Sequence, residues 1–195
     1  MLMGGSSTRM HRSGRIVPAV SPGAADASEE ALAAAVLLAG GLPVEAQEHL
    51  TAAGLAYADS PRAEDHLARA DAIAPDHPAV LIARYRYLFY KGRRSEAREV
   101  AERCLTAALD MTGLGPDWRA LSPDDAAFGA WDAVLPRFLL FSLKGYAYLS
   151  MRLGELDVAE EAVAKLLELD PADRIGAKVL ADVAARAGRE DDDDE

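Results

Sequence analysis

Four histidines and one cysteine are the side chains best suited to metal binding or nucleophilic attack: His11, His49, His66, His77 and Cys104. No two of the histidines show a spacing typical of metal ligands. His77 stands between two prolines in Pro75-Asp76-His77-Pro78, a pattern typical of a turn. Cys104 falls at a small-residue position of a predicted helix, where we expect a buried, inert thiol. We therefore expect no metal, no cofactor and no enzyme.

Two further patterns have chemical potential but favour solvated surface. Glu64-Asp65 and Glu160-Glu161 are adjacent carboxylates on outward helix faces, rather than acid–base pairs. The alternation of arginine and tyrosine over 84–87 is found in nucleic-acid binders, but a helix points these side chains in different directions. The net charge of 21−32, or −11, also argues against nucleic acid and anionic membranes.

The composition favours closely packed helices. Half of the 195 residues are hydrophobic, and only 6% are aromatic. The acidic run 190–195 indicates a solvated tail, and residues 1–25 indicate a disordered leader, with a transit peptide as the alternative. Because the chain has a single cysteine and no apolar stretch of about 20 residues, we expect it in the cytoplasm.

A period of 34 residues organises the chain. Related segments begin at Ala63 and Ala97, and 97−63 is 34. A third begins at Ala159, and 159−97 is 62, one period plus a 28-residue insertion. A period of this length predicts stacked helical units, none of which buries its apolar face alone.

These segments resemble tetratricopeptide repeats, which are antiparallel helix pairs. The small positions of the second helix are Ala63, Ala97 and Ala159, and closing prolines stand at Pro75 and Pro171. The resemblance implies an all-α, right-handed α-solenoid of three helix pairs over about 44–77, 78–111 and 140–173. We predict inter-helix stops at Gly92 and Gly154, caps at Ser60 and Ser95, and a second repeat that runs on to Thr112-Gly113.

Further helices complete the predicted domain, 26–188. One is predicted from Ser28 to Gly40, and a capping helix over 174–187 has an apolar face of Ile175, Val179, Leu180 and Val183. The insertion, 112–139, has a helix start at Ser122 and apolar residues at helical spacing: Phe128, Trp131, Leu135 and Phe138. We expect Pro136 to break this helix. The inserted helix is interpreted either as local core or as a side wall of a groove.

The resemblance also implies where a partner would bind, because the first helix of each pair lines the concave face in this family. The corresponding positions of the second and third repeats are Ile82, Arg86, Phe89, Tyr90, Phe141, Lys144, Tyr148, Met151 and Arg152. Arginine and tyrosine are enriched at binding hot spots, and an acidic or C-terminal peptide would suit these charges. The alternative is that the aromatics pack against the insertion.

The resulting hypothesis is a non-catalytic scaffold, adaptor or assembly factor that binds a protein segment. The carboxylate clamp of chaperone-type members is not expected, since its positions hold Glu48, Ala52, Ala83, Phe141 and Gly145. Two alternatives remain. One is a homo-oligomer closed by exposed aromatics of the insertion, and the other is a protein similar to bacterial secretion chaperones.

Overall fold

The computed structural model describes residues 40–130 and 132–183, and every regular element in these ranges is helical. The α-helices are α1 (Val44–Leu55), α2 (Ser60–Ile73), α3 (Pro78–Tyr90), α4 (Arg94–Thr112), α5 (Val134–Leu153) and α6 (Leu156–Leu169). A short 3-10 helix, Trp118–Ala120, precedes α5, and a final helical segment covers 178–183. The all-α prediction is confirmed. The predicted leader, N-terminal helix and acidic tail lie outside the described residues.

Side chains just before α2 and α3 cap these helices. The Asp59 carboxylate accepts a hydrogen bond from the Arg62 backbone N–H at 3.4 Å, so the cap lies one residue before the predicted Ser60. His77 Nδ1 accepts from the Ala79 N–H at 3.2 Å and caps α3. The predicted cap at Ser95 is wrong, because α4 already begins at Arg94.

Glycines in the left-handed conformation end the longer helices, as predicted. Gly113 and Gly154 follow α4 and α5 with φ of 69° and 84°. Gly92 has a φ of 75° between α3 and α4. A side chain with a Cβ is disfavoured in this region, so glycine permits each sharp reversal at little conformational cost.

Consecutive helices pack against each other to form the core. The contact is extensive within the pairs α1–α2, α3–α4, α4–α5 and α5–α6, and smaller between α2 and α3. Ala63, Ala97 and Ala159 are fully buried, so the second helix of each pair can approach its neighbour closely. The largest fully buried side chains are mostly leucines: Leu81, Leu139, Leu140, Leu143, Leu149, Leu166 and Leu169.

The inserted helix predicted after Ser122 is wrong. Asp125 does accept a hydrogen bond from the Ser122 backbone N–H at 2.7 Å, which is one half of a capping box. The chain then makes separate turns, with Phe128 N–H donating to Ala126 and Ala130 N–H donating to Ala127. A short run rarely sustains a helix unaided, since nucleation is costly. Burial of Phe128, which is 4% exposed, determines the path of the loop instead.

The homodimer hypothesis requires exposed aromatic side chains in the insertion. Trp118 is 6% exposed and Phe128 is 4% exposed, so both belong to the core of this chain. Trp131 lies outside the described residues. The interpretation of the insertion as local core is therefore correct for Trp118 and Phe128. A homodimer stays a prediction, but these two buried side chains would not form its interface.

The predicted helix break at Pro136 is wrong. It is the third residue of α5, which begins at Val134 and includes Phe138 and Phe141. A proline is tolerated in the first turn of a helix because the backbone N–H groups there have no intrahelical acceptor. Helix α5 therefore starts six residues before the predicted third repeat at 140.

The predicted start of the capping helix at Arg174 is also wrong. The final helical segment begins at residue 178, after turns in which Asp173 and Gly176 have φ of 52° and 69°. The Asp173 carboxylate accepts a hydrogen bond from the Lys178 backbone N–H at 3.1 Å, at the residue where the helical segment begins. Val179 is 63% exposed, which contradicts its predicted place on the apolar face. Residues 184–187 lie outside the described part of the chain.

Three cationic side chains donate to main-chain carbonyls and fix the path of the two irregular segments. Lys165 Nζ on α6 donates to the Leu121 carbonyl at 2.8 Å. Arg174 donates to the carbonyl of Gly129, and Lys144 on α5 donates to the carbonyl of Ile175. The segment after α4 and the segment after α6 are therefore both held against the α5–α6 pair.

Candidate binding face

Aromatic side chains of α3 and α5 meet in one cluster. The rings of Tyr85 and Phe89 stack with centroids 5.9 Å apart, as expected for residues one helical turn apart. Phe89 contacts Tyr148 of α5 at 5.8 Å and Tyr90 at 5.5 Å, the latter edge-on. Aromatic pairs favour such offset and edge-to-face contacts. The cluster therefore joins two helices that are separated along the chain by α4.

Tyr90 extends from the cluster into solvent. Its side chain is 64% exposed, whereas Phe89 and Tyr148 are half-buried. Arg86 is exposed and lies one turn before Tyr90 on α3, and Arg152 lies one turn after Tyr148 on α5. We call Arg86, Phe89, Tyr90, Tyr148 and Arg152 the aromatic face. It combines accessible ring surface with two cations, which is the composition of many binding hot spots.

Met151 and Lys144, which were predicted on the same face, make contacts within the protein. Met151 is 8% exposed and belongs to the core, so little of its side chain is accessible to a partner. Lys144 is half-buried and donates to the carbonyl of Ile175. Burial lowers the pKa of Lys144, and the nearby Asp173 carboxylate partly opposes this shift. The Lys144 ammonium therefore holds the segment after α6.

Ile82 and Phe141 are half-buried and pack against the core. Phe141 also lines a small cavity between α5 and the two irregular segments, together with Phe128, Arg137 and Asp170. Its volume of about 20 Å³ is enough for one water molecule. The Asp170 carboxylate is 1% exposed and accepts from the Ile175 backbone N–H at 3.0 Å, so it stabilises the turn after α6.

Two interactions between side chains on different helices were not predicted from the sequence. Asp71 of α2 binds Arg84 of α3, and it also accepts from Arg103 of α4 at 3.1 Å. His49 of α1 and His66 of α2 approach with their Nδ1 atoms 3.1 Å apart. Neither group has a local spacing signal, since its members lie on different helices.

Within residues 40–130 and 132–183, no three or more side chains among His, Cys, Asp and Glu are grouped to hold a metal ion. Cys104 is 4% exposed, and burial raises the pKa of its thiol to about 12. The prediction of a buried thiol is confirmed. None of the described helices combines the length and apolar character required to cross a bilayer.

Comparison with known proteins gives one informative similarity. No family model and no solved structure matches the chain. The chain is 36% identical over 129 residues to an "Uncharacterized 19.8 kDa protein in nifW 5'region" of Azotobacter chroococcum mcd 1, a span of 66% of this chain and 72% of that protein. The chain belongs to the same family as this Azotobacter protein. At that identity and coverage, the two share a fold over most of their lengths.

Proposed function

We propose that this chain is a non-catalytic scaffold that binds a segment of a partner protein on the aromatic face. The observation that carries the proposal is the contact of Phe89, Tyr90 and Tyr148 across two helices, with Tyr90 64% exposed. Rings supported by a rigid pair of helices lose little side-chain freedom when a partner binds, which favours affinity.

The architecture proposed for this scaffold is a right-handed α-solenoid of tetratricopeptide-like helix pairs, α1–α2, α3–α4 and α5–α6. Extensive packing within the three pairs and between α4 and α5 supports it, as does the full burial of Ala63, Ala97 and Ala159 at equivalent places in the second helices. In such an array the first helices lie side by side on one face. Phe89 of α3 and Tyr148 of α5 are in contact as that arrangement requires.

The proposed partner segment is acidic. Arg86 and Arg152 bring two positive charges to the aromatic face of a chain whose net charge is −11. Opposite charge increases the rate of encounter and disfavours wrong partners. We therefore expect binding to weaken as salt is added.

The Azotobacter relative suggests a first partner to examine. Its name places it in the 5′ region of nifW, and we propose the nifW product of the source organism as the first bait. We also propose a bacterial, cytoplasmic setting, because a single buried thiol at Cys104 suits a reducing compartment.

Tyr90→Ala is the variant that tests the proposal. Since Tyr90 is mostly exposed, its loss should leave the melting temperature within about 2 °C of wild type. Capture of the partner from lysate, quantified by mass spectrometry, should fall at least about tenfold, as for removal of a hot-spot aromatic. Tyr148→Ala is a less specific test, because the Tyr148 ring also packs on Phe89 and its loss could affect folding.

Leu55→Ala is the matched control. Leu55 is 87% exposed on α1 and is not one of the five residues of the aromatic face, so the substitution also removes an exposed apolar side chain. The control should retain the partner at the wild-type level. Retention of the same partner by Tyr90→Ala, or equal loss in both variants, would contradict a role for the aromatic face.

A further inference from the structure

His49 and His66 form a close imidazole pair between the first two helices. Their Nδ1 atoms lie 3.1 Å apart, the ring centroids are separated by 5.3 Å, and the ring planes meet at 38°. Both side chains are half-buried, so solvent reaches the pair. The pair therefore combines an accessible position with a fixed distance between two nitrogen atoms.

The space between the two Nδ1 atoms can hold either a proton or a metal ion. At 3.1 Å the two Nδ1 atoms can share one proton, with one ring as donor and the other as acceptor. A metal ion can replace that proton and accept both lone pairs. With metal–nitrogen bonds of about 2.0–2.1 Å, the observed separation gives an angle of about 100° at the metal, between square-planar and tetrahedral values.

The helices hold both ligands in place before any ion arrives. Ala53 of α1 and Ala63 of α2 are buried at their interface, and small side chains there let the helices approach closely. Glu45 lies one turn before His49, and Asp65 precedes His66. Asp65 is paired with Arg69 at 3.0 Å, so the two imidazoles are the principal groups that can bind a metal ion.

We infer that His49 and His66 form a two-histidine site for a late first-row divalent ion, Cu²⁺ or Zn²⁺. Imidazole nitrogen is a preferred ligand of both ions, and Cu²⁺ binds such donors most tightly in this series. Water completes the coordination at the solvent side. The bound ion joins α1 to α2, so it stabilises the native state over the unfolded chain.

Electron paramagnetic resonance of the full chain with one equivalent of Cu²⁺ tests the site. Wild type should show coupling to two imidazole nitrogens. The carboxylates of 190–195 supply oxygen donors only, so adventitious binding to the acidic run is distinguished by its lack of nitrogen coupling. His49→Gln and His66→Gln should each lose the two-nitrogen signal and bind Cu²⁺ at least about tenfold more weakly, because the second donor is no longer held nearby.

His11→Gln is the matched control, since it removes a histidine but keeps the pair. It should bind Cu²⁺ as wild type does. Zn²⁺ should raise the melting temperatures of wild type and His11→Gln, and it should leave those of His49→Gln and His66→Gln unchanged. Circular dichroism in the presence of EDTA checks that each variant is folded, and either pair variant suffices for the comparison. Fewer than two imidazole nitrogens in wild type, or an unchanged spectrum and affinity in a folded pair variant, would overturn the assignment.

Discussion

Gly145 allows a close contact between α3 and α5. A Cβ at this position would lie 3.2 Å from the hydroxyl oxygen of Tyr85, whose ring stacks on Phe89. That distance is shorter than ordinary van der Waals contact. Glycine within a helix costs roughly 0.5–1 kcal/mol relative to alanine. The close approach of Tyr85 therefore explains why a residue that weakens the helix stands beside the aromatic face.

Gly145→Ala should behave differently in two backgrounds. In wild type, the gain in helix propensity is opposed by the Tyr85 hydroxyl. In a Tyr85→Phe background that oxygen is absent, and the same substitution should be more favourable by about 1 kcal/mol. Urea unfolding of the four proteins of this cycle measures the difference. Equal effects of Gly145→Ala in both backgrounds would show that the contact does not limit the position.

His77 links helix capping to pH. Its Nδ1 accepts the Ala79 N–H at 3.2 Å, which requires a neutral imidazole. Burial lowers the pKa of His77 from its ordinary 6.5. The unfolded chain therefore binds this proton more readily than the folded chain. The contribution of His77 to the free energy of unfolding is complete above pH 6.5 and declines as the pH falls below it.

His77→Asn should flatten this pH dependence. Asparagine also caps helices but does not titrate, so the variant should lose less stability than wild type between about pH 6.5 and 5. All other histidines are common to both proteins, so their contributions cancel in the comparison. Denaturant unfolding at a series of pH values gives the two slopes, and parallel slopes would be evidence against a role for His77.

At the scale of helices, Asp71 connects three elements. It binds Arg84 of α3 and Arg103 of α4, and Arg103 also donates to Asp76 at 2.9 Å. The packing between α2 and α3 is smaller than that between other consecutive helices. Charged side chains therefore contribute to the junction between the first and second helix pairs, where the helix packing is less extensive.

Asp71→Asn should destabilise the chain by about 1–2 kcal/mol at low salt, because two guanidinium groups lose their shared carboxylate. Asp65→Asn is the matched control, since the pair Asp65–Arg69 is exposed and lies within one helix. It should cost less than about 0.5 kcal/mol. Thermal unfolding at low and at about 1 M salt separates the cases, as screening should reduce the Asp71 effect. A salt-independent loss would point to packing instead.

The sequence predicts helix ends better than irregular segments. Gly92, Gly113 and Gly154 mark ends through local backbone conformation, which depends on one residue. The loop after Ser122 and the turns after Asp173 depend on distant partners. Burial of Phe128, and the hydrogen bonds that Asp170 and Asp173 accept, outweigh local helix signals there.

At the scale of the whole molecule, the aromatic face was also only partly predictable from the sequence. Helical spacing alone places Tyr148 and Arg152 together, and it places Phe89 next to Tyr85. It does not reveal that Lys144 binds the backbone of Ile175, because that requires the path of the chain after α6. The contact of His49 with His66 is hidden for a similar reason, since 17 residues and a turn separate them.

The carbonyl contacts of Lys165 and Arg174 have a consequence for protein engineering. Both cations hold the connection between α4 and α5 by its main chain, at Leu121 and Gly129. The exposed side chain of Asp124, which lies on that connection, takes no part in these two contacts. A cysteine placed at residue 124 could therefore carry a fluorescent label without disturbing the route of the connection or the aromatic face.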